Sequence, residues 1–160
     1  EEYQGGAELT TDALLRASPL NIFKVNSKNV TLQLLEKGFQ KFWIFGNYAN
    51  LDQTLIPTIC ANIAYSVIEY DYKYCRYRSP EKHLDIEKTV CGCDNEQQGK
   101  MISAFMYGAR SLWWMSEKQQ DIYQKMFPFL KERPSTVLSS VFDDATFAFI
   151  KLLKTKYDIK

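Results

Sequence analysis

One histidine, five prolines and seven glycines are all that 160 residues contain of these types. A single His83 leaves little material for general acid-base work, and no G-x-S-x-G, H-E-x-x-H, Walker or dinucleotide-binding fingerprint is present, so neither catalysis nor a cofactor is expected. So few glycines and prolines do not supply the turn signal that an all-β chain needs every 8–12 residues or so. Long apolar runs are also missing. The richest stretch, 51–67, is interrupted by Asp52, Gln53, Pro57 and Asn62, which argues against a membrane span of ~20 apolar residues. Charge of one sign is not in excess either: 20 Lys and Arg against 19 Asp and Glu give a net charge of +1, which disfavours whole-surface attraction to nucleic acid or anionic lipid. No internal repeat or low-complexity tract interrupts the chain.

What is present is apolar and aromatic. At 46% hydrophobic and 14% aromatic residues, the chain has enough surface to bury in one core. The polar, Gly-containing start, residues 1–6, reads as a flexible leader of a processed chain, followed by a single helical domain over 7–160. Spacing predicts seven helices and no strand. The first is capped at Thr10 or Thr11 and stops near Ser18, ahead of Pro19. The second runs from about 27 to 45 on Val30, Leu34, Leu35, Phe39, Phe42 and Trp43. The third starts near 52–54 and carries Ile56, Cys60, Ile63, Val67, Tyr70 and Tyr74. Ser79-Pro80-Glu81 opens a fourth to about Val90. Asp94 with Gln97 opens a fifth through Trp113 or Trp114, and Ser116 with Gln119 a sixth that Pro128 ends. Ser135 starts a seventh that buries Leu138, Val141, Ala145, Phe149, Leu152 and Leu153. The expected fold class is all-α, a compact bundle.

Cys60, Cys75, Cys91 and Cys93 form an even set, and Asn29-Val30-Thr31 is a glycosylation sequon at Asn29. Together they favour a secreted chain with two disulfides. Within one straight helix Cys60 and Cys75 would stand about 22 Å apart, beyond the ~7 Å reach of a bridge. The third helix must therefore bend or end before Cys75. The preferred pairing is Cys60–Cys93 with Cys75–Cys91, the crossed pairing remaining open. Cys75, His83, Cys91 and Cys93 also suit a tetrahedral zinc site. The paired C-x-x-C spacing is absent, and the expectation is no metal.

The segment 70–78, YDYKYCRYR, interleaves four tyrosines with three cations. Tyr and Arg dominate interface hot spots, which makes Tyr72, Arg76, Tyr77 and Arg78 the candidate protein-binding residues. Lys151, Lys154, Lys156 and Lys160 suit the negative end of a C-terminal helix and leave room for a weak polyanion contact. The pairs Glu69/Asp71 and Asp143/Asp144 read as solvated faces, and Trp113-Trp114 as a buried pair.

The strings FQKFWIFGNY (39–48) and VIEYDYKYC (67–75), with Cys91-Gly92-Cys93, resemble in texture the anophensin/albicin group of anopheline salivary proteins. That resemblance implies a secreted, non-enzymatic effector that binds a host plasma protein or protease complex, inhibiting the complement alternative pathway or contact activation of coagulation. Two other classes stand beside it: a helical carrier of a small apolar or amine ligand, and an intracellular helical adaptor with reduced thiols or zinc.

Overall fold

A computed structural model describes residues 5–157. Two compact units emerge, one of residues up to 23 with those from 140 onward, the other of residues 24–139. Residues 1–4 of the expected leader, and Lys160 of the basic C-terminal group, lie outside the described residues.

The larger unit is α/β, which corrects the all-α expectation. Its four strands, β1 (Phe42–Phe45), β2 (Ala64–Glu69), β3 (Leu112–Trp114) and β4 (Ser135–Val137), form one sheet in the order β1-β2-β3-β4, every pair parallel. Parallel neighbours need crossovers, and helices supply them. Ahead of the sheet lies α2 (Leu32–Lys37); α3 (Ile56–Asn62) links β1 to β2, α4 (Pro80–Glu87) and α5 (Gln97–Gly108) link β2 to β3, and α6 (Glu117–Met126) links β3 to β4.

The helical periodicity was misleading for a physical reason. A strand of a parallel sheet is covered on both faces and reads as a near-continuous apolar run without alternation. Tyr65 to Glu69 are all buried. The predicted third helix therefore contains α3, which stops at Asn62, followed directly by β2. In the same way the predicted second helix dissolves into a 3₁₀ turn (Ser27–Asn29), α2 and β1. The predicted fifth gives up Leu112–Trp114 to β3, and the predicted seventh loses its start to β4. Caps were more legible: Ser79 accepts from the Lys82 N–H at 3.1 Å and Ser116 from the Gln119 N–H at 3.1 Å, opening α4 and α6.

One face of the sheet, carrying Phe45, Tyr65, Val67, Leu112 and Trp114, packs on the helices. Phe45 meets Phe105 of α5 edge to face at 5.2 Å, the Tyr65 hydroxyl donates to the Phe105 carbonyl at 2.6 Å, and Trp114 lies 5.1 Å from Tyr123 of α6. Trp114 is fully buried and Trp113 only half-buried, because neighbours on a strand point to opposite faces. Gly108 lets α5 approach closely, since a Cβ there would stand 2.5 Å from the Tyr65 hydroxyl.

In the smaller unit, α1 (Gly6–Ala17) and α7 (Asp144–Tyr157) are tied by an Arg16–Asp143 ion pair and by Thr10, whose hydroxyl accepts from the Val141 N–H at 3.3 Å. The helix expected to bury Phe149 and Leu152 starts at Asp144 and leaves both exposed.

Candidate metal centre

Beyond Glu69 the chain leaves β2 through two tight turns. The Cys75 N–H donates to the Tyr72 carbonyl at 2.9 Å and the Arg78 N–H to the Cys75 carbonyl at 2.9 Å. Arg78 sits in the left-handed region at φ 57°, a backbone state that a non-glycine residue keeps only when its surroundings hold it there. Ser79 then starts α4, and His83, in its first turn, is the one buried residue of that helix. After Lys88 ends α4, Cys91 and Cys93 flank Gly92, and a 3₁₀ turn (Cys93–Asn95) leads into α5.

These segments bring Cys75, His83, Cys91 and Cys93 together, all buried, with their ligand atoms within 4.8 Å of one another. His83 Nδ1 lies 3.8 Å from the Cys75 sulfur and 3.5 Å from the Cys93 sulfur. A zinc tetrahedron with Zn–S of about 2.3 Å and Zn–N of about 2.0–2.1 Å has S···N edges of about 3.6 Å and S···S edges of about 3.8 Å. The donor set and its spacing fit zinc. The order C-x7-H-x7-C-x-C takes one residue from the turn after β2, one from α4 and two from around Gly92, which is why no paired C-x-x-C announces it.

The two-disulfide expectation is corrected here, because all four cysteines are free. Cys60 belongs elsewhere: it lies on α3, with its sulfur 3.3 Å from the Tyr65 hydroxyl and 3.9 Å from the Ala104 carbonyl. Burial pushes the Cys91 thiol up to about 12, so coordination there must displace a proton. Arg76 supports the cluster from outside. Its guanidinium pairs with Glu96, the residue that follows the Cys93–Asn95 turn.

The four residues expected to bind protein divide into two roles. Tyr72 stacks parallel to Tyr123 at 6.1 Å and Tyr77 meets the His83 ring edge-on at 5.5 Å, so both are half-buried supports of the loop. Arg76 and Arg78 are exposed, paired with Glu96 and Asp71 respectively. Asn29 is exposed at the end of its 3₁₀ turn.

Sequence reasoning missed the polar group beside this centre. Glu69, read as part of a solvated face, is fully buried at the carboxyl end of β2. It accepts from the Tyr48 hydroxyl and from Lys73 Nζ at 3.2 Å, and Asp71 holds Lys73 at 3.0 Å. Lys73 also sits over the Tyr48 ring, 4.6 Å from its centre. The available signal was the position of an acid at the end of an apolar run, followed four residues later by a lysine.

Burial raises the Glu69 pKa above the usual carboxylate value, and the Lys73 charge offsets this only in part. The folded chain thus holds the Glu69 proton more tightly than the unfolded chain. By linkage, the stabilisation this group provides is complete below the unfolded carboxylate value and is lost as pH rises through the folded one. The stability advantage of wild type over Glu69→Gln is therefore expected to be larger at pH 4 than at pH 7.5, measured by urea denaturation. An advantage that grows with pH would contradict the assignment.

Comparison with protein-family models, curated proteins and solved structures yields no match for this chain.

Proposed function

We propose that the chain is a zinc-binding, non-enzymatic recognition domain. In this reading Cys75, His83, Cys91 and Cys93 hold a structural metal that fixes a ligand-contacting loop at the end of the sheet. The observation that carries it is the convergence of three buried sulfurs and one imidazole nitrogen within 4.8 Å. Four protein donors complete a tetrahedron and leave no position for a substrate or activated water, so the metal serves architecture rather than turnover. Three thiolates bound to zinc also suit a compartment in which thiols stay reduced. The loop the metal would secure displays Arg76 and Arg78 to solvent, and these side chains do the recognising.

Metal analysis of the purified chain tests this reading, together with cobalt substitution. One zinc per chain is expected, and the cobalt form should show thiolate-to-metal absorption and the visible bands of a tetrahedral site. Cys93→Ala and His83→Ala should each lose stoichiometric metal, while Cys60→Ala should keep it. A wild-type chain that takes up no zinc, or one whose uptake needs Cys60, would reverse the conclusion.

A further inference from the structure

A cleft of about 270 Å³ opens beside the metal centre, between the loop after β1, the loop after β2 and the first turns of α5. Three cations line it, Lys73, Arg76 and Arg78, with the amides of Asn50, Gln53 and Gln98. No carboxylate is among the described residues that line it. The acids that pair with these cations stand outside the lining. Glu69 and Asp71 hold Lys73, Asp71 holds Arg78 through Nε at 2.7 Å, and Glu96 holds Arg76, with Glu87 at 3.9 Å. Carboxylates placed behind the cations orient their donors, and the polar groups that line the cleft itself are cations and amides.

Arg76 and Arg78 are exposed, so their guanidinium groups can meet an anion from solvent while Glu96 and Asp71 orient them. Lys73 is nearly fully buried and supplies a fixed charge at the cleft wall. Planar guanidinium groups bind phosphoryl oxygens two at a time, a geometry that lysine alone does not offer. The left-handed backbone at Arg78 is a second sign that this loop is held for a purpose. The cleft also lies beyond the carboxyl ends of parallel strands, where open α/β sheets place their ligands. Its volume falls just below the range for drug-sized ligands, which limits the occupant to a small molecule.

We propose that this cleft binds the phosphoryl group of a small phosphomonoester through Lys73, Arg76 and Arg78. The inference rests on the metal reading in one respect: Cys75 lies between Lys73 and Arg76, so the metal would fix the spacing of the three cations.

Calorimetric titration of the full, zinc-loaded chain with inorganic phosphate and with adenosine monophosphate tests it at low salt. Saturable one-site binding is expected, tighter for the monophosphate and at least tenfold weaker in Arg76→Gln and Arg78→Asn. Asparagine is chosen at 78 because it tolerates the left-handed backbone, and Arg76→Gln carries the test if that variant is unstable. Lys151→Gln should bind as wild type does. Absence of saturable binding, or arginine variants within twofold of wild type, would overturn the proposal. So would a phosphoserine peptide binding tenfold more tightly than adenosine monophosphate. Zinc content measured on the same samples separates the two readings. A zinc-loaded wild type that ignores phosphate removes the cleft and keeps the metal, whereas arginine-dependent phosphate binding by a zinc-free chain removes the metal and keeps the cleft.

Discussion

Chelating the metal should lower the thermal midpoint by about 10–25 °C and release the segment from Ser79 to Cys93 while leaving the sheet in place. The size follows from linkage: a ligand present at a thousand times its dissociation constant stabilises by about 4 kcal/mol, and each kcal/mol moves the midpoint of a domain of this size by a few degrees. The location follows from burial. Among the residues of α4 only His83 is buried, while Leu84, Ile86 and, just beyond the helix, Val90 are exposed, so this lobe has almost no apolar core of its own. From Ser79 to Cys93 its buried residues are those of the candidate ligand set, while Tyr74 anchors the preceding turn against Tyr123 and Phe127. By contrast Tyr65, Val67, Phe105, Leu112 and Trp114 are buried between the sheet and the helices α5 and α6, in a cluster to which the lobe contributes only Tyr74, Cys75, Cys91 and Cys93. Hydrogen exchange with and without chelator is the measurement that resolves the two regions. Protection should vanish over 79–93 and persist in β2 and α5. Acid should act like the chelator, because protons compete for the thiolates as pH falls and Cys91 has a high intrinsic proton affinity in its buried setting. Equal melting curves and equal exchange in the two samples would remove the structural role of the metal.

The same contrast explains what could be read from the residues alone. Helix starts were visible at Ser79 and Ser116 because a cap is a local event, a hydroxyl facing an N–H three residues ahead. Strands were not visible, because β1 and β3 are only four and three residues long and β2 is buried on both sides, which erases the alternation that marks a half-exposed strand. All four residues of the candidate centre form a set suited to zinc in the sequence, but an even cysteine count beside a sequon points to disulfides instead. The deciding fact was tertiary. Cys60 is held on α3 against Tyr65, away from the other three cysteines, and once it is set aside His83 becomes the natural fourth partner. The buried Glu69–Lys73 pair was hidden for a related reason: a charged residue at a strand end reads as exposed until the neighbouring Tyr48 and Lys73 are seen to enclose it. For the tyrosine-rich segment, composition marks an unusual loop but does not separate its half-buried Tyr72 and Tyr77 from its exposed Arg76 and Arg78.

Gly99→Ala is expected to cost about 3 kcal/mol and to weaken zinc binding at least tenfold, although the residue is neither a ligand nor a neighbour of the strands. Gly99 lies in the first turn of α5, pressed on the 3₁₀ turn that carries Cys93. A Cβ at this position would stand 2.2 Å from the Cys93 carbonyl oxygen, 2.7 Å from the Asp94 Cα and 2.9 Å from the Cys93 carbonyl carbon. Every one of these atoms is backbone, so no side chain can swing aside to make room. Relief requires moving either α5, which packs through Phe105 on Phe45 and Tyr65, or the turn that sets the Cys93 sulfur. The turn is the softer of the two, since it is three residues long and only Cys93 in it is buried, and its displacement would pull one sulfur off the tetrahedron. On helix propensity alone the substitution should stabilise α5 by about 1 kcal/mol, because alanine is the best helix former and glycine among the worst. The two effects therefore have opposite signs, which makes the experiment decisive. Urea denaturation and a competitive zinc titration on Gly99→Ala would show lost stability and lost affinity together if the contact between α5 and the Cys93 turn positions Cys93, and a gain in stability with unchanged affinity if it does not.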